Sequence, residues 1–399
     1  MIIWLCKYGE TIPINENDRK YRVGMLGEAL KNNNFRVIWW ASDFDHGKKM
    51  KIEIPKTTYK GIQLKRLTGR PYKKNISIQR ILHNREIGNE FSEKSLLEEK
   101  PDIIYTSMPT IDMAYRAAKY AEDNNVLLVV DIRDLWPDVF KTLIPFNVLR
   151  KDFWFKRMNQ KLEYILNNAD LVIAPTQEYL DWASRKKNLK LHDTLVVPFG
   201  YQRANDFNIY ESYKVREQKF EVTFAGTVSV NFDLETVLQA AQKLENDDIY
   251  FNIIGSGDRE AYLRNKYGYL SNVKFWGWCD ATQLHNILKT SSIGIAPYLN
   301  HDNFIYNIPN KPYEYMAYGL STFTCLKGAT WNMLNKYQSG IYYEQGNAED
   351  LAEKLLIFKN STNRIEASNN ILRVFEREFA ADIVYNNLVK KMEGLAKKK

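Results

Sequence analysis

A chain of 399 residues is too long for one ordinary core and predicts two domains of just under 200 residues each. Its 45% hydrophobic and 26% charged residues are ordinary for a globular protein, and no apolar run approaches the roughly 18 residues that a membrane span needs. The net charge of +8 sits entirely in the first half, where residues 1–200 hold 33 Lys and Arg against 25 Asp and Glu.

From the N-terminus, the run from Met1 to Cys6 is apolar but short and has no basic lead-in. A first buried strand is therefore expected there, not a signal peptide, and with it a cytoplasmic protein. Apolar runs bounded by turns then alternate with helical patterns, which predicts an α/β chain of parallel sheets flanked by helices. In the first half strands are expected at 2–6, 36–40, 63–67, 102–106, 127–132, 171–174 and 194–197. One long amphipathic helix is expected over 76–99, with Ile78, Ile81, Leu82, Ile87, Phe91 and Leu96 on its apolar side. Residues 201–219 break the pattern and are polar, so the interdomain connection is expected within them. The second half repeats the theme with strands at 221–225, 250–254, 272–276, 292–296 and 322–326, and with helices at 349–358 and 379–392.

Twelve basic residues between Lys48 and Arg85 face one acid, Glu53. Such a segment favours an anionic membrane, a phosphorylated acceptor or nucleic acid. Its aromatics are only Tyr59 and Tyr72, which argues against a base-stacking surface. Asp43 and Asp45 form a D-x-D that reads as a strand-end loop. The five histidines show no metal-ligand spacing, and three distant cysteines suggest neither a disulfide framework nor a zinc site, so no metal or cofactor is expected.

The most informative stretch is Asn307-Ile308-Pro309-Asn310-Lys311-Pro312-Tyr313-Glu314-Tyr315-Met316-Ala317-Tyr318-Gly319-Leu320. Pro312 presets φ for an opening helical turn, with Asn310 or Lys311 at the cap, so free N–H groups there suit a diphosphate. Glu314, about one turn in, suits two adjacent hydroxyls such as those of a ribose.

This stretch resembles the donor-site signature of retaining glycosyltransferases of the GT-B fold, especially family 4, with its P-x-K-x-x-E-Y-M-A-x-G pattern. The resemblance extends to Phe224-Ala225-Gly226-Thr227, Asn252-Ile253-Ile254-Gly255-Ser256-Gly257, Val273-Lys274-Phe275-Trp276-Gly277-Trp278 and Ile293-Gly294-Ile295-Ala296-Pro297-Tyr298. In the first half, Val130-Asp131-Ile132-Arg133-Asp134-Leu135-Trp136-Pro137-Asp138 is similar to the D-x-x-D-L-W-P-D segment of bacterial polysaccharide transferases of that family.

The resemblance implies two Rossmann-like domains facing a cleft: an acceptor domain over 1–205, a nucleotide-sugar domain over 206–378, and a C-terminal helix over 379–399 returning to the first. It implies a retaining, metal-independent enzyme that moves a sugar from a UDP- or dTDP-type nucleoside diphosphate to a lipid-linked or growing cell-surface polysaccharide acceptor. The basic segment 48–85 would then dock on the anionic inner face of the plasma membrane, and no nucleic acid would be bound. Donor contacts are expected from Gly226, Thr227, Ser229, Gly255, Trp276, Gly277, Asn307, Asn310, Lys311 and Glu314, aided by a helix beginning near Asp233. Lys311 replaces by position the cations that many relatives carry after the first glycine, and Tyr306 stands where many carry a second glutamate. Arg133 and Asp134 are the catalytic candidates, with Asp134 orienting Arg133 or the acceptor hydroxyl, and Glu10, Asn15 and Arg19 are cleft candidates. The alternatives are a nucleotide-sugar epimerase of the same fold and a non-catalytic binding or scaffold protein.

Overall fold

The computed structural model describes residues 1–10, 12–13, 20–52, 57–74, 77–143, 152–186, 193–204 and 206–398. Two compact units emerge, one of residues 1–198 and 384–399, the other of residues 199–383.

The first unit opens with β1 (Ile2–Cys6), α1 (Arg22–Asn32), β2 (Arg36–Ser42), the short β3 (Phe44–Asp45), β4 (Met50–Lys51) and β5 (Thr58–Tyr59), then β6 (Ile62–Leu67). It continues with α2 (Ile78–Ser95), β7 (Ile103–Met108), α3 (Ile111–Asp123), β8 (Leu127–Ile132), α4 (Asp138–Leu143), α5 (Asp152–Asn167), β9 (Leu171–Ala174), α6 (Gln177–Ser184) and β10 (Thr194–Val196). Eight strands form one sheet in the order β10-β9-β8-β7-β1-β2-β6-β5, parallel except for β5 against β6. Strand order reverses between β1 and β7, and such a switch point opens a crevice at the carboxyl ends of the strands. β7 and β8 are buried along their whole length, as strands covered on both faces by helices must be. Trp4, Trp40 and Phe91 meet edge-to-face in the core, with centroids 5.1–6.2 Å apart.

The helix expected over 76–99 is α2, capped by Ser77, whose hydroxyl accepts from the Arg80 amide at 3.2 Å. Its buried face differs from the one expected. His83, Ile87, Phe91 and Ser95 point inward at four-residue steps, whereas Ile78 and Ile81 are 72% and 65% exposed. At about 100° per residue, Ile78 stands opposite Ile87.

The second unit contains α7 (Ile209–Gln218), β11 (Phe220–Ala225), α8 (Leu234–Lys243), β12 (Ile249–Ile254), α9 (Glu260–Tyr267), β13 (Val273–Gly277), α10 (Ala281–Leu288) and β14 (Ile293–Ala296). After these come α11 (Asp302–Ile305), α12 (Asn310–Met316), β15 (Ser321–Thr324), α13 (Ala329–Lys336), β16 (Gly340–Tyr342), α14 (Ala348–Lys359), α15 (Arg364–Glu378) and α16 (Ala381–Ala396), which passes into the first unit at Val384. The sheet is parallel, in the order β13-β12-β11-β14-β15-β16, with its switch point between β11 and β14.

The divide between units lies at Pro198 and Phe199, ahead of the polar stretch where the connection was expected. Backbone bonds from Tyr201 to Phe379 and from Ala381 to Tyr201, at 3.0 and 3.1 Å, tie this segment into the second unit. Arg203 adds a bond from Nη1 to the Ala317 carbonyl at 2.6 Å. Much of 201–219 is the helix α7, whose buried side chains are Ser212, Tyr213 and Arg216. Arg216 donates to the Tyr318 carbonyl at 2.9 Å, so this interface is polar and imitates a linker in sequence.

Candidate functional site

In the second unit the loops that follow β11, β12 and β13 are joined backbone to backbone. The Gly226 amide donates to the Ile254 carbonyl at 2.9 Å and the Gly255 amide to the Gly277 carbonyl at 2.7 Å. A Cβ at Gly255 would overlap the Gly226 carbonyl, so glycine there permits the close approach of two loops. Gly226, Gly255 and Gly277 are thus brought together, while Thr227 lies exposed beside them and Ser229 half-buried. The helix expected near Asp233 is α8, but its N-terminus is already occupied. Asp233 caps it, accepting from the Thr236 amide at 3.3 Å, so α8 offers an anion a carboxylate.

Lys311 reaches the same strand ends from α12, which also carries Glu314. Tyr315 anchors that helix at the switch point: its hydroxyl donates to the Ile295 carbonyl at 3.0 Å and accepts from the Ala225 amide at 3.2 Å. A Cβ at Gly294 would fall within the Tyr315 ring, which explains the glycine in β14. At i and i+3, Lys311 and Glu314 share a helix face. The Lys311 ammonium stands against Gly226 and over the rings of Phe224, Phe232 and Tyr298, with centroids at 4.9, 4.8 and 5.7 Å. Three aromatic faces help to fix the cation in position.

Glu314 is 3% exposed. The helix starts at Asn310 with Pro309 as its cap, so Pro312 is its third residue and Glu314 its fifth. Glu314 therefore lies beyond the first turn, and α12 has no acid there. That corrects the expected start of the helix and makes dipole complementarity a poor account of this carboxylate. Asn310 is exposed at the helix start, and Asn307 accepts from the Ile308 amide at 2.8 Å. Trp276 lies apart, donating through Nε1 to Asn252 Oδ1 at 2.9 Å on the face of the sheet.

In the first unit a second polar cluster occupies the ends of β1, β7 and β8. Arg133, just after β8, donates to Glu10 Oε2 at 2.7 Å, so Glu10 supplies a carboxylate partner where Asp134 was expected to orient the guanidinium. Glu10 Oε1 also accepts from the Val23 and Gly24 amides at 2.7 and 3.3 Å, capping α1, whose own N-cap Tyr21 makes no side-chain cap bond. Asp134 accepts from the Leu135 amide at 2.9 Å, and burial raises its carboxyl above the usual range. Asn15 and Arg19 lie outside the described residues.

Four residues here were not named as site candidates from sequence. Asp131 is fully buried and takes Arg22 in two bonds, Nε at 2.8 Å and Nη2 at 3.2 Å, together with the Tyr105 hydroxyl. Lys7 follows β1 and donates to the Pro109 carbonyl. Burial, and then the charge of Arg133, lower the Lys7 ammonium from its ordinary value to about 7. An unfolded lysine stays protonated to about pH 10.4, so between pH 7 and that value the unfolded state binds more protons. Stability of the wild type should therefore rise with pH across this window. Lys7→Met should flatten that rise, checked by urea melts at pH 6.5 and 9.5, and an equal slope in both proteins would refute it.

Residues 219–359 match the family described as glycosyl transferases, group 1. The chain has the fold of the GT-B glycosyltransferases. Across 100% of both chains it is similar to sucrose-phosphate synthase from Thermosynechococcus elongatus, at TM-score 0.72 and 16% identity. HepE from Anabaena, solved with UDP-glucose, aligns over 98% of this chain and 99% of its own at TM-score 0.65 and 13% identity. WaaG, a glycosyltransferase involved in lipopolysaccharide biosynthesis, aligns over 97% and 98% at TM-score 0.65 and 10% identity. At such identities these likenesses speak to fold. No curated protein matches the chain.

Proposed function

We propose that this chain is a glycosyltransferase that moves a sugar from a UDP- or dTDP-type nucleoside diphosphate onto a lipid-linked or growing cell-surface polysaccharide, with retention, as in family 4. The observation that carries the proposal is the placing of the Lys311 ammonium against Gly226, at the switch point of the second sheet, from a helix that carries Glu314 three residues on. Lys311 would meet the diphosphate and Glu314 the ribose hydroxyls, with backbone groups near Gly277 beside the base. Similar structures were solved with UDP, UDP-glucose or ADP bound, which supports a nucleotide donor. In a same-face transfer the leaving phosphate helps to deprotonate the incoming hydroxyl, so the protein mainly positions groups and stabilises charge. Arg133 and Asp134 are the proposed acceptor-side residues.

A thermal-shift panel of UDP, dTDP, GDP, ADP and CMP tests the reading, since a ligand at 100 times its Kd adds about 2.7 kcal/mol of stability. A response to none of the five would refute a nucleotide donor. The enzyme is also proposed to need no metal. The D-x-D carboxylates have other work: Asp45 Oδ1 accepts from the Gly47 and Lys48 amides at 2.7 and 2.9 Å, and Asp43 Oδ2 from the Thr68 hydroxyl at 3.0 Å. Transfer should persist in EDTA, and loss restored by Mg or Mn would contradict this.

The proposed membrane contact is narrower than the basic segment. Lys65 pairs with Glu98 and Arg70 with Glu86, acids that lie beyond residue 85. Lys73, Lys74 and Arg85 are exposed, and Arg85 shares a face of α2 with the exposed Ile78 and Ile81, at i+7 and i+4. Among the described residues no helix is long and apolar enough to cross a membrane. Changing Lys73, Lys74 and Arg85 to Glu should weaken binding to phosphatidylserine vesicles, each lost cation removing about 1 kcal/mol. Equal vesicle binding by variant and wild type would refute the contact.

A further inference from the structure

Apart from the strand ends that gather Gly226 and Lys311, the second unit has a groove of about 480 Å³ between its sheet and α10. The volume falls within the range of small-molecule sites. The sheet side presents Trp276 and Lys274 of β13 with Asn252 of β12, and Lys219 and Glu221 close one end. Trp276 is 39% exposed, and its bond to Asn252 at 2.9 Å holds the indole in one orientation. Lys274 Nζ lies 3.4 Å from the ring centroid, so the indole also carries a neighbouring cation. On the other side α10 and the residues after it contribute Gln283, Asn286 and Thr290. Gln283 and Asn286 sit at i and i+3 of α10, with Thr290 just past its end; Gln283 Oε1 takes the Asp280 amide at 3.1 Å and the Thr290 hydroxyl donates to the Ile287 carbonyl at 3.0 Å, which leaves the Gln283 NH2, the Asn286 amide and the Thr290 oxygen lone pairs for a ligand.

The chemistry of this lining selects among ligand classes. Lys219 and Glu221 form an ion pair at 2.7 Å, so the end of the groove is close to neutral. A diphosphate would need more positive charge than Lys274 alone provides. An acyl chain or apolar peptide would need aliphatic walls, and Ile287 is the one aliphatic side chain of the lining. Both donors and acceptors, opposite a fixed aromatic face, suit a molecule with hydroxyls along its edges and C–H groups on its faces. We propose that this groove binds a short oligosaccharide, at a site separate from the nucleotide contacts. The proposal rests on the transferase reading for why a glycan would be present, as an acceptor or product chain held by the donor unit.

Ligand-observed saturation-transfer NMR on the full chain, with maltotriose, cellotriose and N,N′-diacetylchitobiose as probes, tests it. At least one probe should give a signal. Trp276→Ala should weaken it roughly tenfold in affinity through loss of the stacking face. Asn286→Trp, which fills the groove from an exposed helix position, should abolish it while UDP binding is retained. Silence from all three probes, or an unchanged response in both variants, overturns the groove. A silent groove beside intact nucleotide binding overturns only this proposal. A responsive groove in a protein that binds no nucleotide supports the groove and overturns the transferase reading.

Discussion

Asp131→Ala is expected to destabilise the first unit by about 3–5 kcal/mol, the loss typical of a buried ion pair broken from one side. Arg22 and Asp131 are 2% and 0% exposed, so water cannot replace the missing carboxylate. The Arg22 guanidinium would retain its bond to the Pro198 carbonyl at 2.8 Å, and the Tyr105 hydroxyl would lose an acceptor. Neither loses its need for a partner at neutral pH: a guanidinium stays charged in proteins, and burial raises the Tyr105 phenol well above its ordinary value. The double change of Arg22 to Met and Asp131 to Leu should cost less than Asp131→Ala alone, because it removes both charges and refills the volume. Urea melts decide the matter. A loss under about 1 kcal/mol for Asp131→Ala would show that the pair contributes little to holding β8 and α1 together.

The second large effect concerns the donor site. Lys311→Met removes the ammonium but keeps an unbranched apolar stem among Phe224, Phe232 and Tyr298, so the packing is kept while the cation–π contribution, about 0.5–2 kcal/mol, is lost. A diphosphate would lose a charge-assisted bond of roughly 1.5–3 kcal/mol, which is tenfold or more in affinity. Glu314→Gln keeps the shape of the side chain and exchanges a charged acceptor for a neutral amide. If the carboxylate holds ribose hydroxyls, each lost charge-assisted bond again lowers affinity by about tenfold or more. The two variants differ in which part of the ligand they affect. Lys311→Met should weaken UDP and leave uridine unchanged, whereas Glu314→Gln should weaken both.

The parallel strands were legible because burial on both faces writes a continuous apolar run into the sequence, as Ile103–Met108 and Leu127–Ile132 show. The two-residue strands β3, β4 and β5 carry no such run. The helix α7 was hidden for the opposite reason, since its packing rests on Ser212, Tyr213 and Arg216. Periodicity located α2 but not its inward face, because Ile78 and Ile81 extend the apolar pattern onto a side that is exposed. In the candidate site, Lys311 and Glu314 were legible from spacing within one short helix. Arg22 was not, since its partner Asp131 is 109 residues away and no local pattern records such a pair. The same holds for Glu10, whose cap on α1 and bond to Arg133 depend on where three strand ends meet.

Isothermal titration of UDP and of uridine against the wild type, Lys311→Met and Glu314→Gln tests the donor site most directly. The account predicts measurable UDP binding by the wild type, a tenfold or greater loss for UDP in both variants, and a loss for uridine in Glu314→Gln alone. An unchanged Kd for UDP in both variants, with melts that show both are folded, would contradict it.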